Sequence, residues 1–243
     1  MAHDGFTQAR VRAEFLGMHY APLSSEAAIG AIAARAMAGG PFAYVVAPRI
    51  GDIIALDRTP YDIAPLFASA WLTLNASARV ARLAAASGVD MPLHRPEALA
   101  GALLARFADP DEPVAIIGEA SRAAGLAARY GLNNVRWSAP PPMSPDGAEN
   151  AAAFVARARA RFTILFCDGV LGAMIARATM QRGDALGVGL CAGAPPAAVN
   201  SLPSALVQAR DGVAESMRLA AIWRYWLLAA WAERASISAR SAR

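Results

Sequence analysis

Residues Phe15 to Leu56, FLGMHYAPLSSEAAIGAIAARAMAGGPFAYVVAPRIGDIIAL, decide the fold class. They read as a short strand, a Ser-capped amphipathic helix, a buried strand, and a turn that opens a second helix. Phe42 to Val46 is a brief apolar run between Pro41 and Pro48. It is too short for a typical helix and rich in β-formers, so a strand buried on both faces is expected. Ser24 and Ser25 are placed to accept backbone N–H groups at the helix start, and Glu26 sets a carboxylate near its positive end. In an α/β protein, the loop after Val46 is where a ligand would be held.

The same alternation continues along the chain. Strands are expected at 42–46, 71–75, 113–118, 134–138, 162–167 and 186–191. Helices are expected near 25–38, 52–68, 77–87, 96–107, 121–129, 147–160, 170–182 and 213–234. Strands that alternate with helices favour a mainly parallel sheet, because the crossovers place helices on both faces. The expectation is an α/β, Rossmann-like sheet of about six strands over residues 1–202, followed by a C-terminal helical appendage over 203–243. Two stretches read as loops, Ala139 to Gly147 (APPPMSPDG) and Ala194 to Pro203, since proline removes donors and fixes φ. No internal repeat is present.

Composition bounds the function. With 243 residues, one α/β core of substantial size is the natural reading. Every basic side chain other than histidine is arginine, which together with the abundant alanine fits a GC-rich genome. A net charge of +4 suits an anionic nucleotide, an acidic lipid surface or nucleic acid. The arginines are spread through many helices without interleaved aromatics, so no nucleic-acid module is recognised. Cys167 and Cys191 both fall in expected strands and read as free core thiols, not as a disulfide or metal site. The amino-terminal MAHDGFTQARVRAEF lacks the apolar core of a signal peptide, and no run of about 20 apolar residues appears. A cytoplasmic protein is expected, with peripheral contact to the inner membrane as a further option.

Ligands of a parallel sheet gather at the carboxyl ends of its strands. The informative positions are therefore Ala47 to Asp52, Asn75, Glu119, Asp168 to Gly172 and Ala192 to Pro195. Asn75 reads either as a ligand-orienting amide or as the cap of the next helix, two compatible roles. Asp168, Gly169 and Gly172 form either a plain Asp-capped turn or a seat for phosphate at a helix start. His94, the one histidine near a likely ligand edge, reads as an exposed loop residue sooner than as a catalyst. Gly187-Val-Gly189 lies inside a strand, so it is no dinucleotide fingerprint. Near the carboxyl end, Leu219, Ile222, Trp223, Trp226, Leu227 and Ala230 mark one helix face, flanked by Arg218 and Arg234. Such a face suits core or oligomer packing, or an interfacial position on a bilayer.

The order FLG, helix, AYVVAPRIGDIIAL resembles the opening of the WecG/TagA/CpsF glycosyltransferases. PVAIIGEASRAAGLAARYGLNNVRWSAPPPM (Pro113 to Met143), RFTILFCDG and ALGVGLCAGA follow in the family's order, over roughly residues 14 to 212. The likeness lies in pattern more than in active-site letters. Where the family has Thr and Asn after its first core strand, this chain has Ala47 and Arg49. The family's Asp at the end of the next strand is Asn75 here, in LTLNAS, and an amide cannot accept a proton as a carboxylate does. Its Arg-x-Pro-Gly-x-Asp-like segment survives loosely in MPLHRPEAL, and its Gln-Glu pair is replaced within CDGVLGAMIA.

The resemblance implies transfer of a hexosamine or hexose from a UDP-sugar to a polyprenyl-diphosphate-linked saccharide in bacterial surface polysaccharide synthesis. It implies no cofactor and no metal beyond that donor. The partners it implies are a nucleotide sugar, a lipid-linked acceptor, the inner membrane at its periphery, and a second copy of the chain as an option. Asn75 would take the catalytic position, facing the acceptor, with Ala47, Arg49, Asp52, Glu119, Asp168, Gly169 and Gly172 around the substrate. The alternative is a catalytically inactive scaffold or sugar-nucleotide-binding protein in a polysaccharide assembly complex.

Overall fold

The computed structural model describes residues 13–49, 51–53 and 63–193. The expected C-terminal helix at 213–234, the appendage at 203–243 and the break from Ala194 to Pro203 lie outside the described residues. Chain order begins with a hairpin, β1 (Ala13–Phe15) and β2 (Met18–Tyr20), paired antiparallel through a two-residue turn at Leu16 and Gly17. Both turn residues have positive φ, 53° and 71°, which matches the twist of a tight hairpin.

Helix α1 (Ser25–Met37) follows, and Ser24 caps it by accepting the Ala27 N–H at 3.2 Å. Next come β3 (Ala43–Val46), α2 (Ala64–Ala68), β4 (Leu72–Thr73), α3 (Ala78–Ala86) and α4 (Pro96–Phe107). The second half alternates strictly: β5 (Val114–Ile117), α5 (Ala120–Tyr130), β6 (Val135–Ser138), α6 (Pro145–Ala158), β7 (Phe162–Leu165), α7 (Gly169–Arg182) and β8 (Val188–Cys191). Helix α6 takes in part of the expected proline loop. Ser144 caps it and Pro145 fills its first turn, where a missing N–H costs nothing.

All six expected strands are present and form one parallel sheet in the order β4-β3-β8-β7-β5-β6. Alternation along the strands divides the core. Tyr44, Val46, Ile117, Leu165 and Cys191 face α2, α3, α6 and α7. Val45, Ile116, Ile164, Val188 and Leu190 face α1, α4 and α5. We call these the first and second faces. Strands β3, β5, β7 and β8 are buried along their whole length, as a sheet covered on both sides requires. The first face also carries a polar tie: the Tyr44 hydroxyl donates to the Leu66 carbonyl at 2.6 Å and so pins α2 to β3. Gly187 and Gly189 lie at and within β8, not at a strand-to-helix turn.

Candidate functional site

The chain order creates a crest. From β3 the chain steps outward to β4, whereas from β5 it steps outward to β6 on the opposite side. Strands β8 and β7 fill the middle. Beyond the strands, backbone bonds carry the pairing a little further, from Phe166 N to Ile117 O at 2.7 Å and from Ala192 N to Leu165 O at 2.9 Å. The carboxyl ends of β3, β8, β7 and β5 thus stand side by side at a change of winding direction, where open α/β sheets hold their ligands.

On the first-face side of the crest lies a carboxylate bank. Asp52 returns to its own loop, and its Oδ2 accepts the Arg49 N–H at 2.7 Å. The carboxylate rests against Gly169, the first residue of α7, and a Cβ there would overlap it. Gly169 is therefore required for this approach. Asp168 caps α7 by accepting the Val170 N–H at 3.0 Å and is itself exposed. Burial pushes the Asp52 carboxyl up to about 6, the Arg49 N–H bond opposes this, and the Asp168 charge adds to it. Asp52 in turn contributes to the raised ionisation of Tyr20 and Cys191 beneath it, both already shifted up by burial.

An arginine bank occupies the second-face side. The Arg49 guanidinium reaches Glu97, in the first turn of α4, at 2.9 Å. It also lies against Gly193, whose φ is +77° and whose ideal Cβ would stand 3.1 Å from Nη2. Arg122, in the first turn of α5, stacks over the Phe166 ring with its guanidinium carbon 4.5 Å from the centroid. Its Nη1 is enclosed and has no hydrogen-bond partner among the described residues. A buried guanidinium N–H left unmatched is a strong demand for an acceptor. Sequence reasoning passed over Arg122. The available signal was a cation in the first turn of the helix that follows Gly118 and Glu119 at a strand end.

Asn75 stands at the end of β4, 1% exposed. Its Oδ1 accepts the Ser77 N–H at 2.9 Å, and Ser77 caps α3 by accepting the Val80 N–H. The cap expected of Asn75 therefore belongs to the residue two positions on, and Asn75 shapes the turn that delivers it. Its Nδ2 is buried without a partner among the described residues. His94 corrects a second expectation, being 2% exposed instead of a surface loop residue. Its backbone N–H donates to the Asn75 carbonyl at 2.7 Å, and its Nδ1 lies 3.3 Å from the Ser25 hydroxyl. Burial lowers its pKa, so the ring is neutral at pH 7, and its Nε2 has no partner among the described residues. The two side chains do not share one pocket. Asn75 pairs in parallel register with Leu93, which sends His94 to the opposite side of that bridge, toward Leu23 and Ser25.

The other candidates scatter around this core. Ala47 packs its side chain into the second-face cluster, so only its backbone reaches the crest. Glu119 is exposed at the head of α5. Gly172 points away from the crest, its ideal Cβ position 3.5 Å from the sulfurs of both Cys167 and Cys191. Those thiols are free and buried, as expected. Arg49, Asp52, Asp168 and Gly169 are the positions that the fold brings together. A cavity of about 150 Å³ lies elsewhere, between the β1–β2 hairpin, α2 and the start of β4, and His19 is its one titratable lining residue. Apart from His19, Trp71 and Thr73, the side chains that line it are apolar.

Among the described residues, no group of three or more His, Cys, Asp or Glu side chains is arranged to hold a metal ion. No described helix is long and apolar enough to cross a membrane. No protein-family model and no curated protein matches the chain.

Proposed function

We propose that this protein is a glycosyltransferase that moves a hexosamine or hexose from a UDP-sugar to a polyprenyl-diphosphate-linked saccharide. The family resemblance supplies the reaction class, and one feature of the fold supports it. The crest is uneven in its side chains, with Arg122 and the Glu97-paired Arg49 on one side and Asp52 and Asp168 on the other. A sugar nucleotide is uneven in the same sense. Its diphosphate calls for guanidinium groups, which bind phosphate oxygens through charge-assisted hydrogen bonds, while its sugar and the acceptor offer hydroxyls to carboxylates.

In this reading the diphosphate lies along the arginine bank. That differs from a seat on the first turn of α7, because the Asp52 carboxylate already rests on Gly169 there and Asp168 stands beside it. Two carboxylates would repel a diphosphate at that spot. Arg122 meets the donor with its unmatched Nη1, and Arg49 shares its guanidinium between Glu97 and the phosphate. Departure of UDP places negative charge on the diphosphate, where both cations stabilise it.

Calorimetric titration with UDP, with GDP and ADP as controls, tests the reading. Selective UDP binding supports it, and no binding to any nucleotide overturns it. A non-catalytic sugar-nucleotide-binding scaffold is the second reading. It is favoured by Asn75, an enclosed amide engaged with Ser77 where the family has a carboxylate. UDP binding without release of UDP from any UDP-hexose or UDP-hexosamine would favour that reading.

A further inference from the structure

We propose that Asp52 is the general base of the transfer reaction, acting from the loop after β3 in place of a carboxylate at the end of β4. The proposal rests on the glycosyltransferase reading above. It begins from a chemical gap: Asn75 cannot take up the acceptor's proton, and its carbonyl oxygen is already bound to the Ser77 N–H. A replacement must be a carboxylate or imidazole at the crest. His94 faces the Ser25 side of the β4 end, enclosed beneath α1. Among the described residues, Glu97 is paired with Arg49, Glu119 and Asp168 are exposed, and Asp168 is committed to capping α7.

Asp52 has the required surroundings. It stands at the carboxyl end of β3, between the edge strand and the centre of the sheet, and is partly exposed. One oxygen accepts the Arg49 N–H, and the group is held in place against Gly169. The bond to Arg49 N–H is half of a helix-start capping arrangement, matched by Asp52 N–H and Ile53 N–H donating to the Arg49 carbonyl. Capping alone would be served by an exposed carboxylate of ordinary acidity. Among the described residues, the groups facing it are Asp168 from α7, Tyr20 from β2, Cys191 from β8 and Arg49 of its own loop. Burial and Asp168 together lift its pKa to about 6. A carboxylate of that pKa is still mostly ionised at pH 7, yet more basic than a solvated one, which suits general base work.

The step balances without a further reactant. The acceptor hydroxyl gives its proton to an Asp52 oxygen while its oxygen forms the bond to the anomeric carbon. The bond from that carbon to the diphosphate oxygen breaks, and its electron pair leaves with UDP. Asp52 then returns the proton to solvent. When water replaces the lipid-linked acceptor, the same step releases free sugar and UDP.

The experiment uses the full chain. UDP binding is measured by calorimetry, and UDP release from UDP-N-acetylglucosamine, UDP-N-acetylmannosamine and UDP-glucose is followed from pH 5 to 8. The wild type should show UDP release rising through an apparent pKa near 6. Asp52→Asn keeps an acceptor for the Arg49 N–H, so it should fold and bind UDP within about threefold of the wild type. Its UDP release should fall by about 100-fold or more and lose the acidic limb. Gly169→Ala, which pushes the carboxylate aside without removing it, should lower release at unchanged UDP affinity. Asn75→Asp should not restore release to the Asp52→Asn variant. Retained release and an unchanged pH limb in Asp52→Asn would overturn the proposal. So would a wild type that binds UDP but releases none from any donor, which leaves nucleotide binding standing. A wild type that fails to bind UDP overturns the underlying reading as well.

Discussion

The two banks of the crest present different side chains and are built in opposite ways: one turns carboxylates to the crest, the other two guanidinium groups, one of them paired with Glu97. On the carboxylate bank, Asp52 is pressed onto Gly169, bonded to its own loop, and acted on by the Asp168 charge more than by that of Arg49. On the arginine bank, Arg49 and Arg122 lie over Gly193 and Phe166, and the enclosed Nη1 of Arg122 has no partner among the described residues. The first bank stores its cost in an ionisation held away from its ordinary value, the second in a donor without an acceptor. Both costs should be relieved by mutation and, under the proposed function, by ligand. Each bank therefore makes its own predictions.

The largest separation is expected between catalysis and binding. Asp52→Asn should cost about 100-fold or more in UDP release with little change in affinity. Arg122→Ala should instead weaken UDP affinity by about 10-fold or more in calorimetry, the weight of a charge-assisted hydrogen bond. Raising salt should weaken UDP binding in the wild type and do so less in Arg122→Ala. If the two variants affect the same quantity, the division between the banks is lost.

Stability provides a second contrast. Asp52 has a folded pKa of about 6 against an ordinary value of 3.8, so the folded state holds this proton more tightly than the unfolded chain. The contribution of Asp52 is fully favourable below pH 3.8 and is lost as pH rises through about 6. Asp52→Asn should therefore raise stability by about 1–3 kcal/mol at pH 8 and by almost nothing at low pH, read by urea unfolding at the two values. Asn75→Asp should do the reverse at neutral pH, losing about 2 kcal/mol, because a carboxylate at a site 1% exposed is poorly solvated. The smallest effect is expected at Gly172. A Cβ there meets the two cysteine sulfurs at ordinary contact distance, 3.5 Å, within α7. Gly172→Ala should leave stability unchanged or gain up to about 1 kcal/mol from helix propensity, measured by thermal unfolding. Gly169→Ala, where the new methyl meets the Asp52 carboxylate, should lose about 1–3 kcal/mol.

Local chemistry left clear marks in the sequence. Runs such as AYVV, VAII and FTIL are short, apolar and flanked by turn residues, so each strand could be read from its own letters. Ser24 and Asp168 are capping residues by type and cap α1 and α7 as expected. The candidates at strand ends were legible because a parallel sheet fixes where loops gather. Asn75 shows the limit of such reasoning. It is a good capping residue by type, yet Ser77 takes the cap because the turn brings its hydroxyl to the helix start. His94 shows it again, since a polar letter between Pro92 and Pro96 reads as surface until α1 is laid over it. Pro145 read as a loop residue although the first turn of a helix accepts it.

By itself the sequence determined the alternation of strand and helix, the parallel pairing that follows from it, and the end of the sheet at which chemistry gathers. These depend on periodicity and capping, which act within about a dozen residues. Only the tertiary structure decided that β8 lies between β3 and β7, and with it which side chains meet. That order brings Asp52 against Gly169, across 117 positions of chain, and sets Arg49 over Gly193. Charge, burial and the room left by a missing Cβ are properties of such neighbours, so the two banks of the crest exist only once the strands have taken their places.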